Sequence, residues 1–231
     1  MRDFRIAVGN SLKGKVGEHG FFLRKIAEIT KVIEQKNAKQ DYPLNTELER
    51  LNYFFSAYLN TIQSMKDACQ TAMGVDFSWS ILSPTYGDFI FYCRNAATHD
   101  GYHLINAGKG MNNYIVGPLR RIDSRGKVIE FDPPKEDVLT LCWNISTEAL
   151  VSIGSLLKRK RGEIPVAEEA DFRKATEASL LSDFIPDEVK KMILANKESI
   201  EASFKGVKID VVSQTLNAIA SVEQFIADAR T

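Results

Sequence analysis

A chain of 231 residues with 44% hydrophobic and 26% charged side chains has an ordinary globular composition. A chain of this size buries roughly 70% of its surface on folding, which excludes disorder as the dominant state. Thirty basic residues balance thirty acidic ones, so the chain is not a strongly basic nucleic-acid coat protein, although a local basic site remains open. No apolar run approaches the ~20 residues of a bilayer span, and the charged first residues lack the core of a signal peptide. A cytoplasmic chain without a membrane partner is expected.

The charge is unevenly spread. Between 94 and 127 six basic residues face two acidic ones, whereas between 162 and 202 ten acidic residues outnumber five basic. This polarity predicts one face suited to an anion. Cys69, Cys93 and Cys142 are widely spaced and include no Cys-x-x-Cys pair, which predicts buried, reduced thiols and no structural zinc.

Along the chain, Phe22, Ile26, Ile29 and Ile33 predict a short helix ending near Lys39, after a glycine-interrupted start. The strongest period covers 48–73, where Leu48, Leu51, Phe55, Tyr58, Ile62, Met65, Cys69 and Met73 mark one face of a long helix. Thr46 with Glu49 predicts a capping box at its start, and Gly74 a stop. Ser83 and Pro84 read as N-cap and first residue of a helix that runs through Phe89, Ile90, Phe91 and Cys93 to about Thr98, closed by Gly101. Short strands are predicted over 102–107, 114–121 and 127–131, with turns at 108–110 and 123–126. Beyond Pro134, the positions Val138, Leu141, Cys142, Ile145, Ala149, Ile153 and Leu157 predict a second long helix that ends in the basic run 158–161. Three shorter, more acidic helices should follow over 168–181, 186–204 and 207–229. The expected fold is mainly all-α. A helical bundle over 1–161 pairs the two long helices antiparallel and carries a small antiparallel β insertion at about 102–131, with a helical C-terminal appendage, 162–231, packed on or beside it.

Residues able to carry a reaction are scarce. No serine elbow, phosphate-binding glycine loop or dinucleotide fingerprint is present, and His19, His99 and His103 are the only imidazoles. One segment, Cys93-Arg94-Asn95-Ala96-Ala97-Thr98-His99-Asp100-Gly101, gathers Arg, Asn, His and Asp at a helix end. Histidine serves as general base or acid near neutral pH. Arginine offers permanently charged, forked donors that match phosphate oxygens. Asn95, four residues before His99 on one helix face, is placed to orient the imidazole or hold a phosphate oxygen. Arg94 and His99 are about 140° apart around a helix, so they converge if the helix loosens near His99 or if a second subunit brings its own copy alongside.

The segment resembles the signature of HEPN domains, in which Arg, a polar neighbour and a spacing of four to six residues lead to His, near one end of a helix in an α-bundle. Here Arg94, Asn95 and His99 fit that pattern, and the resemblance covers about 15–161. The resemblance implies an endoribonuclease that needs neither metal nor cofactor. The 2′-hydroxyl attacks, leaving a 2′,3′-cyclic phosphate and a 5′-hydroxyl. Arg94, Asn95 and His99 would be its catalytic residues, RNA its substrate, and a homodimer through the motif helix its assembly. A toxin or defence role, with an antitoxin or other partner protein, is a further family implication. The alternative from a different class is a non-catalytic helical module that binds RNA, a nucleotide or a partner protein.

Simpler readings of the same residues stand beside these. Arg94 and His99 favourably oppose a helix dipole wherever they sit near a C-terminus, and Asp100 before Gly101 is ordinary turn chemistry. His103 reads as a half-buried packing residue of a strand, and His19 has no partner legible in the sequence. His99-Asp100 also matches the doublet of HD-type metal phosphohydrolases, but the further ligands such a set needs are scarce, the other histidines being His19, eighty residues upstream, and His103, across a glycine. The basic run 158–161 reads as a solvated helix end. Arg120, Arg121, Arg125 and Lys127, on the β insertion, are the candidates for tracking an RNA backbone.

Overall fold

The computed structural model describes residues 2–109, 112–115, 117–122 and 125–231. Gly110, Val116, Asp123 and Ser124, which belong to the expected turns and strand, lie outside the described residues. Among those described, nine helices and three two-stranded antiparallel sheets make a mainly α protein, as expected.

The first helix, α1 (Arg2–Ala38), is far longer than the short helix expected around Phe22. Four interior glycines, each costing about 1 kcal/mol of helix propensity, hide its first half from a periodicity reading. Packing supplies what propensity lacks. Leu12, Val16, His19, Leu23, Ile26 and Ile33 form one continuous buried stripe. A six-residue connection leads to α2 (Asn45–Met73), and the pair packs as a hairpin along its length. The α2 stripe is buried as read from Leu51 onward. Its start differs from expectation: Thr46 and Glu49 lie inside the first turns, Leu44 is the N-cap without a side-chain bond, and no capping box forms. Glu47 instead pairs with Lys36 of α1 at 2.8 Å. Gly74 stops the helix as read, in the left-handed region at φ 64°, with its amide donating to the Gln70 carbonyl at 2.8 Å.

After α3 (Trp79–Leu82) comes α4 (Gly87–His99). Ser83 and Pro84 precede α4 as a turn rather than starting it. The buried Ser83 hydroxyl donates to Glu148 at 2.6 Å and accepts from the Tyr86 amide at 3.2 Å. Two hairpins follow, β1 (Ile105–Lys109) with β2 (Asn112–Ile115), and β3 (Leu119–Ile122) with β4 (Val128–Phe131). The expected single strand over 114–121 is thus two strands. Gly117 lies so close to Pro133 that a Cβ would fall 2.3 Å from its ring, and Pro118 has no N–H to continue a ladder. The first hairpin is clasped to α2: Asn52 donates to the Ile105 carbonyl at 2.8 Å and accepts from its amide at 2.9 Å.

The next helix, α5 (Val138–Arg159), starts where expected, with the Asp137 carboxylate accepting from the Leu139 and Thr140 amides at 3.1 Å. Its pairing with α2 is a short crossing rather than the main contact of the core, because α1 occupies that face of α2. Beyond it, β5 (Ala167–Glu168) pairs with β6 (Lys208–Ile209) around α6 (Glu169–Leu181), α7 (Asp187–Ala195) and α8 (Lys197–Ser203). The helix expected over 186–204 is divided at Asn196. The last helix, α9 (Val211–Ala229), packs on α1 and α5. Its Val212, Ile219, Val222 and Ile226 join the same hydrophobic cluster as α1 and α2. Residues 162–231 therefore divide in two. α9 completes the core, whereas α6, α7 and α8 bury no residue and leave Phe184 96% exposed.

Candidate functional site

The last turns of α4 form the site. One apolar side of α4, with Phe89, Ile90, Cys93 and Ala96, is buried and fixes the helix against the bundle. Further round the helix, Arg94 and Thr98 reach Asn60 of α2, whereas Asn95 and His99 line a cleft. The helix stays regular through His99, and the Asp100 amide still donates to the Ala96 carbonyl at 3.2 Å. Gly101, at φ 70°, turns the chain away in a conformation that other residues adopt at a cost.

Arg94 Nη1 lies 3.1 Å from His99 Nε2 within the one chain. Neither a loosened helix nor a second copy brings the two together, contrary to the expectation from their angular offset; the long arginine side chain spans it. Arginine has donors only, so Nε2 accepts in this contact and the imidazole proton sits on Nδ1. The same guanidinium donates through Nη1 to Asn95 Oδ1 at 3.1 Å and through Nε to Asn60 Oδ1 at 3.3 Å. Asn95 thus holds the arginine rather than the imidazole. Asn60, on α2, also accepts from Thr98 at 3.2 Å. Nothing in the sequence links Asn60 to a segment thirty-four residues on, because only the packing of α2 against α4 joins them.

The cleft beside this cluster has a volume of about 550 Å³ and is lined by Tyr92, Asn95, His99, Asp100 and Arg121 among others. Arg121 is the one member of the expected RNA-tracking set that lines it. Its Nε donates to Asp100 at 3.0 Å, and its side chain is only 11% exposed. Asp100 therefore does more than shape a turn. Successive strand residues face opposite ways, so Arg120 lies on the other side of β3, exposed and paired with Glu130 at 2.7 Å. Arg125 and Lys127 are exposed and do not line the cleft. Among the described residues no group of three or more His, Cys, Asp or Glu side chains is placed to hold a metal ion.

The other two histidines depart from their sequence readings. His103 is exposed and lies outside any strand, with its ring edge-on to Tyr53 at 6.0 Å. His19 is fully buried on α1 and has two partners, Thr61 Oγ1 at 2.9 Å from Nδ1 and Ser146 Oγ at 3.0 Å from Nε2. Thr61 donates its own proton to the Tyr58 carbonyl at 2.7 Å. It must therefore accept from Nδ1–H, which leaves Nε2 to accept from Ser146. Burial pushes the His19 pKa down to about 3, so the ring is neutral and sealed. The three cysteines are buried as expected; burial raises all their thiol pKa values, that of Cys69 to about 12, and leaves them unreactive. In the basic run, Arg161 pairs with Asp210 and Lys160 with Glu163, which accords with a solvated helix end.

No protein-family model matches this chain, and comparison with curated proteins and with solved structures finds no match.

Proposed function

We propose that the chain is a HEPN-type endoribonuclease that cleaves RNA without a metal ion, using Arg94, Asn95 and His99. The observation that carries this reading is the Arg94–His99 contact at the mouth of a cleft, with the imidazole lone pair on Nε2 already turned towards a phosphate-binding group. A scissile phosphate arriving in the cleft competes for the guanidinium, and its charge outbids a neutral imidazole as acceptor. Arg94 then binds the phosphate and frees Nε2. The base so exposed takes the 2′-hydroxyl proton, the O2′–P bond forms, and the P–O5′ bond breaks with the electron pair on O5′. That oxygen is protonated by water or by the imidazolium of a second copy facing across a two-fold axis. Phe91, exposed at the cleft on α4, supplies apolar surface for such a homodimer. Asn60 and Asn95 keep the guanidinium in register. A toxin or defence role, with a protein partner that restrains the enzyme, is part of the same proposal.

A second reading, binding without cutting, draws on Asp100. This carboxylate neutralises Arg121 in the cleft and leaves less positive charge for a backbone than the sequence implied.

The deciding experiment incubates the protein with a defined RNA and with the same RNA carrying one 2′-deoxy sugar at the cut site. Cutting of the first to a cyclic phosphate end, in the presence of chelator, and resistance of the second are expected. Cutting of the deoxy substrate, or cutting abolished by chelator and restored by metal, removes the mechanism.

A further inference from the structure

The cleft at His99 does not end at Tyr92. Asp88, Tyr92, Asn95 and His99 recur along α4 at steps of four, three and four, which puts them on one stripe. Tyr92 is shared with a second cleft of about 530 Å³ on the N-terminal side, so the two form neighbouring compartments along one helix. At 1.5 Å per residue, Tyr92 lies about 10 Å along the axis from His99. A nucleotide flanking the scissile phosphate reaches across that span.

The second compartment has a different chemistry. Its wall is aromatic: Tyr92 stacks on Phe131 with centroids 5.2 Å apart, and Phe89 meets Phe131 edge-on at 6.4 Å. Its charged groups are all carboxylates, namely Asp88, Asp132 and Glu136, beside the hydroxyls of Thr85 and Tyr86. Glu136 is held in place: its Oε1 accepts from the Tyr86 hydroxyl at 2.8 Å, and that oxygen accepts in turn from Asn144 Nδ2 at 3.4 Å. Three carboxylates repel a phosphate, so this compartment does not track the backbone. An aromatic shelf with fixed acceptors suits a base, with stacking for affinity and edge contacts for selection. A carboxylate accepts only. Guanine alone among the four RNA bases presents two adjacent donors, N1–H and the N2 amino group, which a carboxylate receives together. Uracil offers a single imino N–H between two carbonyls, which a carboxylate repels.

We propose that the Tyr92–Glu136 compartment is a guanine-selecting subsite for the nucleotide next to the cut. This inference rests on the ribonuclease reading for its purpose, though not for its test. Three fluorescein-labelled 2′-O-methyl pentanucleotides, UUGUU, UUIUU and UUUUU, serve as probes that cannot be cut. Anisotropy titration should show the guanine probe binding about 10-fold or more tighter than the uracil probe, with inosine, which lacks the N2 amino group, in between. Glu136→Gln keeps an acceptor for Tyr86 but loses the charge. It should abolish the preference without weakening the uracil probe. Tyr92→Leu should weaken all three probes alike, with a thermal melt to confirm its fold.

Equal affinities for the three probes, or a preference that survives Glu136→Gln, overturn the subsite. So does Glu136-dependent binding of a labelled oligolysine together with indifferent binding of the three probes, because that outcome assigns the compartment to a cationic protein partner. The two proposals fail separately. Cutting of ordinary RNA with no base preference removes the subsite and leaves the nuclease, whereas guanine-selective binding by a protein that never cuts leaves the subsite and removes the nuclease.

Discussion

Two histidines on different helices, His19 on α1 and His99 on α4, show how one side chain is assigned opposite work. His19 and His99 each have polar partners at about 3 Å. His19 is enclosed by α1, α2 and α5, and its hydroxyl partners saturate both nitrogens, so its neutral form is locked in. His99 sits at the end of α4 beside a cleft, and its hydrogen-bond partner among the described residues is a charged group that a phosphate can draw away. The difference lies in enclosure and in the charge of the partner, not in the number of contacts. A histidine whose partners are neutral and buried acts as a structural wedge; one whose partner prefers another ligand is available for chemistry.

Single substitutions separate the two. His99→Ala should lower RNA cleavage by about 10²- to 10⁴-fold, the usual worth of a general base, while the melting temperature stays within a degree or so of the parent. Retained cleavage in that variant would break the comparison at its functional end. His19→Leu should do the reverse. It removes two buried hydrogen bonds and leaves Thr61 and Ser146 with their Tyr58 partners alone, at a cost of about 1–3 kcal/mol in urea unfolding, and leaves the rate per folded molecule unchanged.

Acid sharpens the same contrast. The folded pKa of His19, about 3, lies below the ~6.5 of an unfolded chain, so between those values the unfolded state binds the extra proton. The contribution of His19 is whole above pH ~6.5 and is lost on acidification at about 1.4 kcal/mol per pH unit. Stability measured at several pH values between 7 and 4 should show this slope in the parent and a shallower one in His19→Leu. The smallest effect is expected at the cleft wall. Asp100→Asn releases Arg121, and should tighten RNA binding a few-fold at low salt and steepen its salt dependence by about one charge. Affinity unchanged across salt would mean that Arg121 does not face the nucleic acid.

What was legible in the sequence follows from which forces leave a periodic trace. The stripes of α2 and α5 were readable because large apolar residues recur at helical steps, and Gly74 because its left-handed turn has a residue type of its own. The first half of α1 was not, because four glycines interrupt its pattern, of which Gly9 and Gly20 meet other parts of the chain at close range while Gly14 and Gly17 meet none within 4 Å. A Cβ on Gly20 would lie 2.7 Å from a Val222 methyl of α9. The buried stripe also passes through His19, which no hydrophobic pattern counts. Thr46 and Glu49 had the spacing of a cap, but the helix began one residue before Thr46. At the site, Arg94, Asn95 and His99 were legible as types at a spacing, whereas their contact was not, since it depends on side-chain reach. Asn60 and the Asp100–Arg121 pair needed the tertiary fold, because each joins elements that are distant in the chain.

The seating of α9 against Gly20 has a consequence for the order of events during synthesis. The two surfaces that meet there are separated by about 200 residues, which a ribosome adds in about 10–40 s. Over that interval α1 and α2 can pair as a hairpin, yet the groove that α9 fills against α1 and α5 lies open. The nascent chain therefore carries an uncovered apolar seam until its last helix emerges. A chaperone that shields such seams, or a partner bound to the unfinished bundle, would have that window in which to act.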